Sequence, residues 1–191
     1  NWAGRRPQEG DMTGPSSGSQ VVIDPGSGVA STGTVGVVDL KARKVTGELA
    51  VGLHPSGMVF SPDGTRLYVA NANSDTVSVI DTATNACMRT FSVKPMPELP
   101  FGSAPNALAV SADGATLYAA NGGNNVLAVI ATESGAVQGL IPTGWYPGAI
   151  ALAQGGQLLC VANVKGVGSL YDKANADLKQ AYFPGIAGGR N

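Results

Sequence analysis

Between positions 30 and 163 the chain is written in short apolar runs, each of strand length, separated by breaks rich in Gly, Asn, Asp and Ser. One unit reads Gly57-Met-Val-Phe60, then an Asp-Gly turn, then Leu67-Tyr-Val-Ala70, an Asn/Ser turn, the alternating Val77-Ser-Val-Ile80, a further turn, and a fourth run near 88–93. The period is that of strands rather than helices. The breaks carry the residues that tolerate the positive φ angles of tight hairpins. Each unit is predicted to be a four-stranded antiparallel meander.

The unit recurs. Ser61-Pro-Asp-Gly-Thr-Arg-Leu-Tyr-Val-Ala-Asn71, Ser111-Ala-Asp-Gly-Ala-Thr-Leu-Tyr-Ala-Ala-Asn121 and Ala153-Gln-Gly-Gly-Gln-Leu-Leu-Cys-Val-Ala-Asn163 are spaced by 50 and 42 residues, the longer step holding a Pro-rich insertion at 94–101. Val35-Gly-Val-Val-Asp39, Val77-Ser-Val-Ile-Asp81 and Leu127-Ala-Val-Ile-Ala131 keep the same register, as do Gly52-Leu-His-Pro55, Gly102-Ser-Ala-Pro105 and Gly144-Trp-Tyr-Pro147. A meander has two faces and cannot bury both alone, so the copies are predicted to stack around an axis as β-propeller blades. At about 40 to 45 residues per blade the 191 residues supply roughly four blades, so the fold is expected to be all-β and part of a larger, seven-bladed ring. The chain is read as a segment of a longer protein, with an irregular N-terminal arm over 1–19, blades over 20–170, and a linker or tail over 171–191, in which 173–180 has helical character.

Leu67-Tyr-Val-Ala-Asn71 after Ser-Pro-Asp-Gly, followed by Asp75-Thr-Val-Ser-Val-Ile-Asp81, resembles the YVTN-type propeller repeat of bacterial surface and periplasmic proteins. The flanks, including Pro100-Phe-Gly-Ser-Ala-Pro-Asn106, Asn121-Gly-Gly-Asn-Asn125 and Ile141-Pro-Thr-Gly-Trp-Tyr-Pro147, resemble proteins that fuse such a propeller to a C-terminal alkaline-phosphatase-like phosphoesterase domain. The resemblance implies a periplasmic or extracellular location and a phosphoesterase whose divalent metal ions belong to that further domain. None of its ligand clusters has a counterpart here, so no catalytic residue, cofactor or metal site is carried over.

Composition narrows the function classes. A net charge of −1, with 12 Lys and Arg forming no basic run, argues against a nucleic-acid partner. No stretch has the apolar length of a membrane span. A Ser-His-Asp or Cys-His arrangement would have to use the single histidine, His54, whose counterparts are Ala104 and Tyr146. Asp39, Asp63, Asp81 and Asp113 fall at turns and are read as turn-closing carboxylates, and Asn71, Asn121 and Asn163 as satisfying backbone groups at strand ends. Cys87 and Cys160 align with packing residues and are expected to be buried free thiols.

The Gly-x-x-Pro segments lead into the innermost strands, whose loops cluster at one mouth of a propeller's channel. They place His54, Asn106, Trp145 and Tyr146 at that mouth as candidate ligand- or partner-binding residues. The plainer alternative is that Trp145 and Tyr146 cap the core or pack against an adjacent domain. Three functions follow: a non-catalytic scaffold, substrate gate or partner platform of a secreted phosphoesterase-like protein; a stand-alone periplasmic or cell-surface binding protein; or a lactonase-like hydrolase, which needs acidic and basic groups converging at the channel. Partners are expected to include the rest of its own polypeptide, or further chains that complete the ring.

Overall fold

The computed structural model describes residues 5–16, 18–26, 28 and 30–166. The predicted tail, with its helical stretch, lies outside them. The first strands, β1 (Thr13–Ser16) and β2 (Ser19–Val22), pair as a hairpin. The arm expected to be irregular to residue 19 therefore contains a strand. Gly18, at φ +82°, permits the tight reversal that composition alone did not reveal.

The repeats follow in the predicted phase. β3 (Gly33–Asp39) and β4 (Lys44–Val51) form a two-stranded sheet equivalent to the outer half of a blade. β5 (Pro55–Phe60), β6 (Arg66–Asn71), β7 (Thr76–Asp81) and β8 (Ala86–Ser92) make one complete four-stranded antiparallel blade. β9 (Pro105–Val110), β10 (Thr116–Asn121), β11 (Val126–Ala131) and β12 (Val137–Pro142) make the next. β13 (Pro147–Ala153) and β14 (Leu158–Asn163) form the inner half of another, joined by a 3₁₀ turn at Gln154–Gly156. The described residues thus hold two whole blades flanked by two halves.

The blades converge on their first strands: β5 lies against β9, and β9 against β13. The largest core lies between the two complete blades, where Tyr68, Val77, Val79 and Val93 meet Leu117, Ala128 and Ile130. Each of these side chains is at most 1 % exposed. Burying one contributes on the order of 2 kcal/mol. A second cluster joins Val35 of β3 to Leu67, Val69 and Ile80. Polar ties cross the same seams: Ser56 Oγ donates to the Pro105 carbonyl at 2.8 Å, and the Arg89 guanidinium donates to the Thr132 and Glu133 carbonyls.

Both cysteines are exposed and free, which corrects the expectation that they are buried. Cys87 sits on an outermost strand, and Cys160 on β14, beside which the described residues place no further blade like the one that covers the equivalent Tyr68. Repeat alignment conveys position within a blade but not what stands beside it.

Candidate functional site

The loop entering each innermost strand is built the same way three times. His54, Ala104 and Tyr146 all take left-handed backbone conformations, at φ +54°, +48° and +57°. Their carbonyls accept hydrogen bonds from Ala72, Gly122 and Val164 at 2.9–3.1 Å. One residue earlier, the Leu53, Ser103 and Trp145 carbonyls accept from Asn73, Gly123 and Lys165 at 3.0–3.1 Å. Each mouth loop is therefore doubled against the turn that follows the second strand of its own unit. The positive φ is costly for a residue bearing a side chain, and the paired bonds hold it in place.

Two repeated features noticed separately in the sequence prove to be one contact. A Cβ on Gly52 would stand 2.6 Å from Asn71 Cγ, and one on Gly144 would stand 2.8 Å from Asn163 Cγ. The glycine opening the Gly-x-x-Pro frame is thus required by the asparagine ending the second strand. The middle unit departs from this: Gly102 is at φ +136° with open space where a Cβ would lie. Asn121 Nδ2 instead donates to the Val93 carbonyl at 2.7 Å, a backbone group as expected, whereas Asn71 Nδ2 donates to the hydroxyls of Thr76 and Ser78 at 3.1 and 2.9 Å.

On this frame the tips differ. His54 Nδ1 lies 3.3 Å from Asn73 Oδ1. The counterpart pair, Tyr146 and Lys165, is a cation–π contact with Nζ 5.6 Å from the ring centroid. The middle unit has only Ala104 and Gly123 there. Asn106 and Tyr146 come together over Gly122, where a Cβ would meet Asn106 Nδ2 at 2.3 Å and Tyr146 Cζ at 3.1 Å. Trp145 is half-buried, its backbone N–H donating to the Gly166 carbonyl at 2.8 Å. The four predicted mouth residues therefore lie at the same end of successive blades, Asn106 next to Tyr146, while His54 belongs to the mouth loop one blade earlier.

Sequence reasoning missed Asp75 and Asn125. Both sit at positive φ in the same turn of successive blades and reach the mouth loop of the next. Asp75 is fully buried, and its carboxylate accepts the N–H groups of Gly102 at 2.8 Å and Ala104 at 3.0 Å. Its carbonyl accepts the Val93 N–H, so both stems of the 94–101 insertion are tied to this one residue. Asn125 Oδ1 accepts the Tyr146 N–H at 2.9 Å. An Asx residue four positions after the repeated asparagine was the available signal. Between these stems the insertion exposes Met96 and Phe101 beside the mouth.

The repeated aspartates lie at the opposite end. Asp63 Oδ1 accepts the Ser61 hydroxyl at 2.6 Å and the Thr65 N–H at 3.0 Å, which hold its carboxyl down at about 2. Asp113 does the same with Ser111 and Ala115, and its pKa is lowered chiefly by the Ser111 hydroxyl. Asp39 and Asp81 accept backbone N–H groups two and three residues on. These carboxylates close turns. Among the described residues no group of three or more His, Cys, Asp or Glu side chains is placed to hold a metal ion.

A three-blade arc with convergent first strands is the frame on which comparison with known proteins bears. The family described as "Lactonase, 7-bladed beta-propeller" matches residues 33–167. The chain belongs to this family. Among solved structures, the Kuenenia stuttgartiensis hydrazine synthase is similar at a TM-score of 0.62 and 32 % identity, the match covering 73 % of this chain and 40 % of that one. The chain thus spans under half the length of that protein. Among curated proteins, no relative matches. The matched family residues begin at β3, so the phase of the family repeat coincides with the half-blade, and the β1–β2 hairpin stands outside it.

Proposed function

We propose that this lactonase-family arc works as a non-catalytic recognition platform, presenting the mouth residues His54, Asn106, Trp145 and Tyr146 to a ligand or protein partner. The observation that carries this reading is the left-handed residue and paired backbone hydrogen bonds that all three mouth loops share beneath variable tips, the arrangement by which a rigid scaffold serves recognition. The innermost strands agree: β5, β9 and β13 are built from Pro, Ser, Gly, Met, Val, Phe, Asn, Ala, Leu and Ile, with no ionisable side chain to act as acid or base on the channel. The repeat resemblance supports placing the platform in a cell-envelope protein beside a phosphoesterase-type domain. The 40 % coverage of a solved relative supports such an arc working inside a larger chain.

The family match favours a second reading, a lactone-hydrolysing ring to which this arc contributes binding groups while acid and base come from other blades. A panel of γ- and δ-lactones assayed against the purified chain and against the longest native polypeptide separates the two. The platform reading expects no turnover from either, together with ligand-dependent quenching of Trp145 fluorescence that is lost in Tyr146→Ala. Turnover by the longer polypeptide establishes the second reading.

A further inference from the structure

We propose that the middle mouth loop holds the backbone of an extended, uncharged peptide segment of a protein partner, one of whose apolar side chains lies against Phe101. The proposal rests on the platform reading above and names what the platform takes. Its residues stand at the seam between the two complete blades, with described strands on both sides.

The middle loop differs from its neighbours in two ways. Where they carry Leu53-His54 and Trp145-Tyr146, it carries Ser103-Ala104, and the turn bonded to it offers Gly122-Gly123 in place of Ala72-Asn73 and Val164-Lys165. It is a notch of small residues between larger tips. It also gathers polar atoms without partners. Among the described residues, the Oδ1 atoms of Asn71, Asn121 and Asn163 are buried and unbonded in all three units, but only in the middle loop and its turn do three more join them: Ser103 Oγ, Asn106 Nδ2 and Asn124 Oδ1. Ser103 is 1 % exposed. The first unit shows the contrast, since Ser74 Oγ, at the position of Asn124, accepts the Leu53 N–H at 2.8 Å.

Buried polar atoms left unbonded cost free energy that nothing in the fold offsets. Their chemistry defines what would. An amide N–H, an amide oxygen and a hydroxyl that serves either way complement a group that both donates and accepts and carries no charge. A peptide unit is such a group. Asn106 and Asn124 are only half-buried, so turning their side chains presents both amides to the mouth. The 94–101 insertion supplies the apolar half. Phe101 is 62 % exposed and Met96 54 %, while Lys94 Nζ braces the loop on the Leu99 carbonyl at 3.1 Å and Asp75 fixes its far stem. Phe101 stands at the edge of the notch, because a Cβ on Gly123 would collide with the carbonyl of the adjoining Gly102. A sugar would satisfy the polar atoms but has no use for two exposed apolar side chains, which favours a peptide carrying an apolar residue. An apolar anchor held on a braced loop loses little freedom on binding.

The test selects a phage-displayed library of random heptapeptides on the whole chain and measures the enriched sequence, as a capped synthetic peptide, by calorimetry. That peptide is expected to contain Leu, Met or Phe, to carry no net charge, and to bind equally in about 0.05 M and about 0.5 M salt. Phe101→Ser, at an exposed position, is expected to weaken binding at least about tenfold. Ser103→Ala separates binding from a structural role: losing an unbonded hydroxyl is expected to leave the urea midpoint unchanged or higher while weakening the peptide at least about threefold. A library that yields no binder, a binder released by salt, or an affinity unchanged in Phe101→Ser or in Ser103→Ala overturns the proposal. Binding of cellobiose in place of the peptide gives the notch to a sugar and overturns it too. If peptides fail while another ligand quenches Trp145, this inference alone falls; if neither acts, the platform reading falls with it.

Discussion

Strands β6 and β14 hold the same place in their blades and both end in Val-Ala-Asn, yet they live in different surroundings. From Leu67 to Asn71, every residue of β6 is buried; along β14 exposed and half-buried residues alternate. Nothing in the strands' own sequences accounts for this. β6 has β7 on one side, β5 on the other and the next blade on its face, whereas β14 has only β13 beside it and no following blade among the described residues. Stability in this molecule resides between units more than within them, as expected for a repeat architecture.

The contrast is broken most strongly by deleting side chains at the inter-blade seam. Leu117→Ala, at a fully buried position, is expected to cost about 3 kcal/mol in urea unfolding, while Leu158→Ala, 47 % exposed on β14, is expected to cost well under about 1 kcal/mol. Equal losses would mean that the half-blade is covered in solution. Next comes the link between turn and mouth. Asp75→Ala strands the N–H groups of Gly102 and Ala104 and is expected to cost about 2 kcal/mol, with the 94–101 loop becoming open to limited proteolysis. Asn125→Ala removes a single bond to Tyr146 and is expected to cost about half as much.

The smallest effect is in acid. The folded pKa of Asp63 is depressed to about 2 against a usual value near 3.9. Its stabilising contribution is therefore present above about pH 4 and is lost as the pH falls through about 2. The equivalent residue in the β13–β14 turn is Gly155, which has no carboxylate to titrate. Amide exchange measured turn by turn, each rate taken relative to the intrinsic rate of the unfolded chain at the same pH, is expected to rise on acidification at 61–65 and 111–115 but not at 153–157. A uniform rise would assign the acid sensitivity to some other group.

The phase of the blades was legible because Asp-Gly turns, alternating strands and the Gly-x-x-Pro frame recur independently, and each has a local physical cause. The mouth was legible for the same reason. Its frame is backbone geometry encoded by neighbouring residues. What escaped reading depends on partners distant in sequence. The exposure of Cys160 reflects that no following blade stands beside β14 among the described residues, whereas its alignment with Tyr68 pointed inward. The role of Asp75 depends on residues 27 and 29 positions away, beyond a loop whose length gives no hint of where its ends return.

That anchoring has a consequence for how the molecule can vary. Because Val93 at one stem and Gly102 and Ala104 at the other are all bonded to a residue of the preceding turn, the segment between them begins and ends on fixed points that its own sequence does not supply. Its length and composition can drift, or be replaced by a foreign peptide, without moving the strands on either side. The 42-residue unit acquired eight residues at that place while both flanking blades kept their register, which makes the site a natural port for grafting.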